Sequence, residues 1–244
     1  MHNKGLVKTV RFKDPKYVGD PINAVKIFNE KEVDELIVID IDATKEDREP
    51  DYKMIENLAV ECRMPLCYGG GIKTVKQATR IFNLGVEKIA LSSAAIDTPQ
   101  LVADLAKEVG SQSVVVVLDV KKKLFGGYDV YTHNGTKKTK IDLEKFIKEL
   151  QTLGVGELVI NSIDNDGEMR GYDIDLIEKL EPSIDVPMTI LGGAGSLDNI
   201  RDLISKFGIV GCAAGSLFVF KGRYRAVLIN YPGRTEKEKL IGGV

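Results

Sequence analysis

Two patterns of apolar residues follow each other along this chain. Short unbroken apolar runs, of the kind found in strands buried on both faces, alternate with stretches whose apolar positions recur at helical spacing. The strand runs are Leu36 to Ile39, Pro65 to Tyr68, Lys88 to Leu91, Val114 to Leu118, Glu157 to Asn161, Met188 to Leu191 and Val210 to Ala214. Between them the spacing predicts helices. One opens at Asp20-Pro21 and carries Ala24, Val25, Ile27 and Phe28. Others cover Met54 to Cys62, Pro99 to Val109, Ile141 to Leu153 and Asp173 to Leu180. Thr74 and Ser196 are N-caps of two more, and Gly85 ends the first of these. A last helix is expected from Gly215-Ser216 toward Asn230, and Tyr128 to Thr132 alternates as an exposed β-ribbon would.

The order of these elements is itself duplicated. Val33-Asp34-Glu35-Leu36-Ile37-Val38-Ile39 lines up with Val155-Gly156-Glu157-Leu158-Val159-Ile160-Asn161, an offset of 155 − 33 = 122, half of the 244 residues. The same offset sets Gly70-Gly71 on Gly192-Gly193 and Thr74 on Ser196. It also sets Val75, Ala78, Ile81 and Phe82 on Leu197, Ile200, Leu203 and Ile204, and after a one-residue slip Ser92-Ser93 falls on Gly215-Ser216. A unit this long is no solenoid repeat, since those run about 20 to 50 residues. Four βα units, twice, predict an α/β fold: a (βα)8 TIM barrel with a two-fold half-barrel repeat, one domain over 1–244 with halves near 1–112 and 113–244. The first-half counterpart of Val114 to Asp119 would precede Met1. The expectation is a start truncated within the first strand; the alternatives are an open gap or one filled by Gly5 to Phe12.

Composition narrows the chemistry. The formal net charge of −2 gives no bulk attraction for nucleic acid or an anionic membrane. Cys62, Cys67 and Cys212 have no metal-ligand spacing, and an odd count fits a reducing cytoplasm. With only His2 and His133, neither a histidine-based metal site nor a Ser-His-Asp triad is expected, and no metal or cofactor is predicted. No apolar run reaches the roughly 20 residues of a membrane span.

Each half instead repeats Gly-Gly after one strand and a Ser entering a helix after the next. Glycine lets a ligand approach the backbone, and helix starts offer free N–H groups to anions. Duplicated across a barrel mouth, the device suits a substrate with two phosphates or a nucleotide sugar. Asp42, Asp119, Asp164 and Asp166 fall at or just past strand ends near it. Each could only cap a turn, but Asp119 would project between the anion sites, where a general acid or base is useful. Lys8 either closes over the mouth or is a solubilising charge. Glu35, Lys88 and Glu157 sit at the opposite strand ends, as solvated surface or, if turned inward, as an ionic constriction.

Together these features resemble the cyclase subunit family of imidazole glycerol phosphate synthase. The similarity covers nearly the whole chain. Its motifs are Gly19-Asp20-Pro21, Asp34-Glu35-Leu36, Gly69-Gly70-Gly71-Ile72, Gly110-Ser111-Gln112, Ser162-Ile163-Asp164-Asn165-Asp166-Gly167, Gly171-Tyr172-Asp173 and Gly192-Gly193-Ala194-Gly195. The resemblance implies a cytoplasmic lyase-type synthase subunit. It would use ammonia made by a class I glutaminase partner docked on the bottom face and passed through the barrel. It implies that Asp119 is one of two catalytic aspartates and Lys8 a mobile-loop lysine. Gly71, Ser92, Ser93, Asp166, Gly167, Gly193, Gly215 and Ser216 would form the phosphate sites, and Glu35, Lys88 and Glu157 three members of the ammonia gate.

The second catalytic aspartate and the fourth gate residue, an arginine, would both lie on the first strand. Asn161, Leu191 and Ser92-Ser93 depart from the cyclase pattern. The run Gly5 to Pro21 and the ending Ala214 to Phe220 are more similar to paralogues implicated in acetamidino modification of surface-polysaccharide sugars, where the first-strand aspartate is expected to be apolar. The leading expectation is such an ammonia-channelling subunit acting on a nucleotide sugar. The runner-up is an authentic cyclase of histidine biosynthesis, and a third reading is a non-catalytic scaffold that activates a glutaminase.

Overall fold

The structure is a computed structural model and describes residues 1–242. Its elements in chain order are β1 (Leu6–Val10), β2 (Lys13–Gly19), α1 (Pro21–Glu30), β3 (Leu36–Ile39), α2 (Tyr52–Glu61), β4 (Leu66–Gly69), α3 (Val75–Phe82) and β5 (Lys88–Leu91). There follow α4 (Ser93–Asp97), α5 (Gln100–Val109), β6 (Val114–Lys122), β7 (Tyr128–Thr132), β8 (Lys137–Lys138), α6 (Leu143–Thr152), β9 (Glu157–Ser162) and α7 (Ile174–Leu180). The last are β10 (Met188–Leu191), α8 (Leu197–Phe207), β11 (Gly211–Cys212), α9 (Ser216–Val219), β12 (Phe220–Lys221), β13 (Ala226–Val227) and α10 (Arg234–Ile241).

Seven strands form one curled parallel sheet in the order β3, β4, β5, β6, β9, β10, β11, with helices alternating between them, the architecture of an α/β barrel. Strand period decides what faces where. On β6, Val114, Val116, Leu118 and Val120 join the large core under the helices. Val115 packs with Cys67, Ala90 and Val159 in the bore, against Ile37, Ile39, Val117 and Leu191. Asp119 therefore continues the bore-facing row at its upper end.

The two sheet edges, β3 and β11, do not pair with each other. The Gly5 to Phe12 segment does not enter the position between them. Its strand β1 pairs antiparallel with β2 in a separate hairpin. Met1 stands at the upper end of that position instead: its amino group donates to the Ile39 carbonyl, and Ile41 N donates to Met1 O at 3.0 Å.

Most predicted elements form within a residue or two of their expected ends. The exception is the C-terminal region. The strand at Val210 to Ala214 shortens to β11, and in place of one helix toward Asn230 there is the four-residue α9, the small hairpin β12–β13 and then α10. Gly222 at positive φ turns the chain back into the hairpin, so no continuous helix runs from Ser216 to Asn230. The β-ribbon also differs: β7 pairs with β6 and buries Tyr128, Val130 and Thr132, and its other face is half-buried.

The repeated caps are realised alike. Thr74 accepts from Gln77 N at 3.2 Å within a capping box, and Ser196 accepts from Asn199 N at 3.3 Å. Each cap satisfies one donor that a helix start leaves free. Replacing Thr74 by Ala should cost about 1 kcal/mol. Urea unfolding would read this as a lower midpoint at unchanged slope, and Ser196→Ala should give a similar loss.

Candidate functional site

A single cavity of about 690 Å³ touches both ends of the bore. At the lower end its wall includes Glu35, Glu157 and Thr189; at the upper end Lys8, Gly71, Ser92, Ser93, Asp119, Asp166 and Gly215. It also opens sideways between β3 and β11 onto Val25, Phe28, Ile200 and Leu240.

The upper end is organised by strand register. Asp119 on β6 stands directly beside Asn161 on β9, and Asn161 Nδ2 donates to Asp119 Oδ1 at 2.8 Å. Burial pushes the Asp119 carboxyl up to about 7; the Asn161 hydrogen bond opposes this and the nearby Asp166 charge adds to it. A carboxyl poised near neutrality both takes and gives protons, as general acid–base work requires. Asn161 Oδ1 and Ser92 Oγ are buried without a hydrogen-bond partner, two unsatisfied polar atoms beside the same space.

Lys8 reaches in from β1. Its ammonium lies over the α-carbon of Gly215, where a side chain would collide with it. Burial lowers its pKa, and Asp166 works against that. Asp166 in turn anchors the β1–β2 hairpin: Thr9 Oγ1 donates to its Oδ2 at 2.8 Å, and Arg11 N donates to its carbonyl at 2.9 Å. The hairpin is thus a strap across the mouth.

The remaining expected phosphate residues divide. Ser93 opens α4, and its Oγ accepts from His133 N at 3.4 Å. Ser216 opens α9 and is buried. Gly167 and Gly193 lie behind the cavity wall. The strap backbone at Thr9 crosses so close to Gly167 that a Cβ would meet it, and Gly193 packs against Gly171, whose N donates to Gly193 O at 2.8 Å.

Asp42 and Asp164 have anchoring jobs. Asp42 accepts from His2 Nδ1 and Asn3 N, each at 2.8 Å, and Asp164 accepts from Lys122 N at 2.9 Å. Asp40, not singled out in the sequence, is buried at the mouth and accepts from Asp42 N and Ala43 N. Its place after a buried strand was the available signal.

At the lower end the inward alternative holds. Lys88 Nζ lies 3.0 Å from Glu35 Oε2 and 2.9 Å from Glu157 Oε2. Burial works against the lysine charge, but the two carboxylates outweigh it and raise its pKa. Thr189, which the sequence reading did not single out, donates to Glu157 Oε1 at 2.7 Å. Its position two residues before the bore-facing Leu191 puts it on the same face. Among the described residues no group of His, Cys, Asp and Glu is placed to hold a metal ion, and no helix is long and apolar enough to cross a membrane.

The pattern of histidine biosynthesis proteins matches residues 2–225. The chain belongs to that family. It is 60% identical over 242 residues to a Vibrio vulnificus protein named "Putative imidazole glycerol phosphate synthase subunit hisF3", covering 99% of this chain and 93% of that one. A Pseudomonas aeruginosa protein of the corresponding name, hisF2, is 50% identical over 232 residues, covering 95% and 92%. "Imidazole glycerol phosphate synthase subunit HisF" of Streptococcus sanguinis is 38% identical over 213 residues, covering 87% and 84%. The α/β barrel described above is the fold of this family.

The Asp119 environment carries a pH signature. Its folded pKa, about 7, lies above the roughly 3.9 of an unfolded aspartate. Between those values the folded state holds the extra proton, so this group's contribution to stability falls as pH rises and the penalty is complete above pH 7. Asp119→Asn removes it. The variant should match wild type at pH 4 and be more stable at pH 8, by about 1 to 2 kcal/mol once screening by water in the open mouth is allowed for. Thermal melts at the two pH values would show it.

Proposed function

We propose that the chain is the ammonia-using subunit of a two-component synthase, working with a glutaminase of the class I type that docks at the lower end of the barrel. The observation that carries this is the one cavity joining the Glu35–Lys88–Glu157 cluster to Asp119. Between the two polar ends lie Ile37, Cys67, Ala90, Val115 and Val159, an apolar bore. Such a lining passes neutral ammonia and disfavours ammonium, because an unpaired ion is costly to desolvate. Lys88 closes the entrance while both carboxylates hold it. At the mouth, Asp119 takes a proton from the nitrogen as ammonia adds to the substrate. Lys8 and the loops at the mouth, Gly71 with Ser92-Ser93 and Gly215 with Ser216, hold phosphate.

The substrate class is a nucleotide sugar, amidinated for surface polysaccharide. Support comes from the amide at Asn161: the side chain hydrogen-bonded to Asp119 is neutral, at a position that departs from the cyclase pattern. The relatives' names favour a second reading, an authentic imidazole glycerol phosphate synthase cyclase. Complementation of a histidine auxotroph separates the two. No rescue is expected, and rescue would overturn the sugar reading.

The channel has its own test. In the complex with the glutaminase, Lys88→Met should lower glutamine-driven turnover at least about tenfold while leaving turnover with added ammonium salt near wild type. Equal loss in both modes would sink the gate. Asp119→Asn should lower both modes by about 100-fold or more, the usual scale for a positioned acid–base group. Unchanged product formation would leave the barrel as a scaffold for the glutaminase.

A further inference from the structure

A second cavity lies outside the mouth, behind the loops that follow β9 and β10. It holds about 520 Å³, and its wall includes Met169, Gly195, Phe220, Lys221, Arg223 and Arg225. That volume is within the roughly 300 to 1,000 Å³ of small-molecule sites.

Its charge is lopsided. Lys221, Arg223 and Arg225 have no ion-pair partner among the described residues, whose ion pairs lie elsewhere. The one carboxylate in the wall, Glu168, is already shared by Arg11 at 2.8 Å and Arg170 at 3.7 Å. Lys16 stands beside them, donating to the Arg225 carbonyl at 3.2 Å and lying 5.0 Å from the centre of the Phe220 ring. The wall thus carries three cations to one carboxylate, and that carboxylate is already held by two arginines outside it, in a chain whose net charge is −2. Like charges gathered without counter-charges repel unless an anion joins them.

The tip between β12 and β13 adds an aromatic. Tyr224, between Arg223 and Arg225, is 90% exposed. Gly222 and Arg225 both have positive φ, so the tip is a tight turn that carries Tyr224 at the rim, next in sequence to two arginines of the wall. A large ring turned out to water contributes nothing to the core, whereas a free aromatic face stacks on a nucleobase and arginine forks grip phosphate oxygens. The groove is also continuous in sequence with the mouth. Gly195 belongs to the Gly192–Gly195 loop, and Met169 to the loop that carries Asp166.

We propose that this groove binds the nucleoside diphosphate part of the substrate, phosphates on Lys221, Arg223 and Arg225 and base on Tyr224, leaving the sugar to the mouth. The inference rests on the nucleotide-sugar reading above and names the place where its nucleotide sits.

Calorimetric titration of the full chain with uridine diphosphate, adenosine diphosphate and pyrophosphate tests it directly, without turnover. At least one nucleoside diphosphate should bind more tightly than pyrophosphate, and its affinity should fall as salt rises. The double variant Arg223→Ala, Arg225→Ala should weaken it at least tenfold with an unchanged melting temperature. Tyr224→Ala should weaken the nucleoside diphosphate and leave pyrophosphate binding as it was. Nucleoside diphosphate binding that ignores the arginine variant overturns the groove while leaving the nucleotide-sugar reading intact. Pyrophosphate binding as tightly as either nucleotide, with Tyr224→Ala silent, also overturns it, and so does wild type binding neither nucleotide. In those cases the ammonia-driven assays above still judge the parent reading separately.

Discussion

The register of β6 against β9 is the constraint on which the site depends. Val115 pairs with Glu157, Val117 with Val159 and Asp119 with Asn161, so one strand pair runs from the ionic cluster to the carboxyl at the mouth. A slip of one residue would turn every bore-facing side chain toward the helices. It would put Asp119 into the apolar core and Leu118 into the mouth. The apolar partners of Val114, Val116, Leu118 and Val120 under the helices forbid that slip, so packing on one face fixes chemistry on the other.

The bore itself is a compromise between charge and apolar lining. Lys88 is tolerated there because two carboxylates compensate its burial, and Glu157 is further held by Thr189. Cys67, just above, shows the local cost of charge: burial pushes its thiol well up, and Glu35 and Glu157 add to the effect. The bore favours neutral species along its middle and confines ions to its ends.

Much of this was legible from the chain alone. The unbroken runs at Leu36, Lys88 and Met188 became strands with the expected ends, because β-branched and apolar residues with no helical spacing have few alternatives. The repeat located the glycine and serine loops, whereas the choice between a solvated and an inward Lys88 was left open and is made by its two carboxylate partners. What the sequence left open depends on side-chain partners. Nothing in the spacing says that Asp42 would be occupied by His2 and Asn3, or Asp164 by Lys122, while Asp119 would keep a single amide partner. The region after Ser216 was misread because apolar residues from Leu217 to Val227 fit a helix about as well as a hairpin. A tight turn at Gly222 decided between them.

The strap has a consequence for timing. Asp166 receives Thr9 and also lies on the cavity wall, so one carboxylate belongs both to the latch of the hairpin and to the space a phosphate would fill. An arriving dianion repels that carboxylate and attracts the Lys8 ammonium on the same hairpin. Occupancy of the mouth is therefore felt at the strap as a change in two opposing pulls.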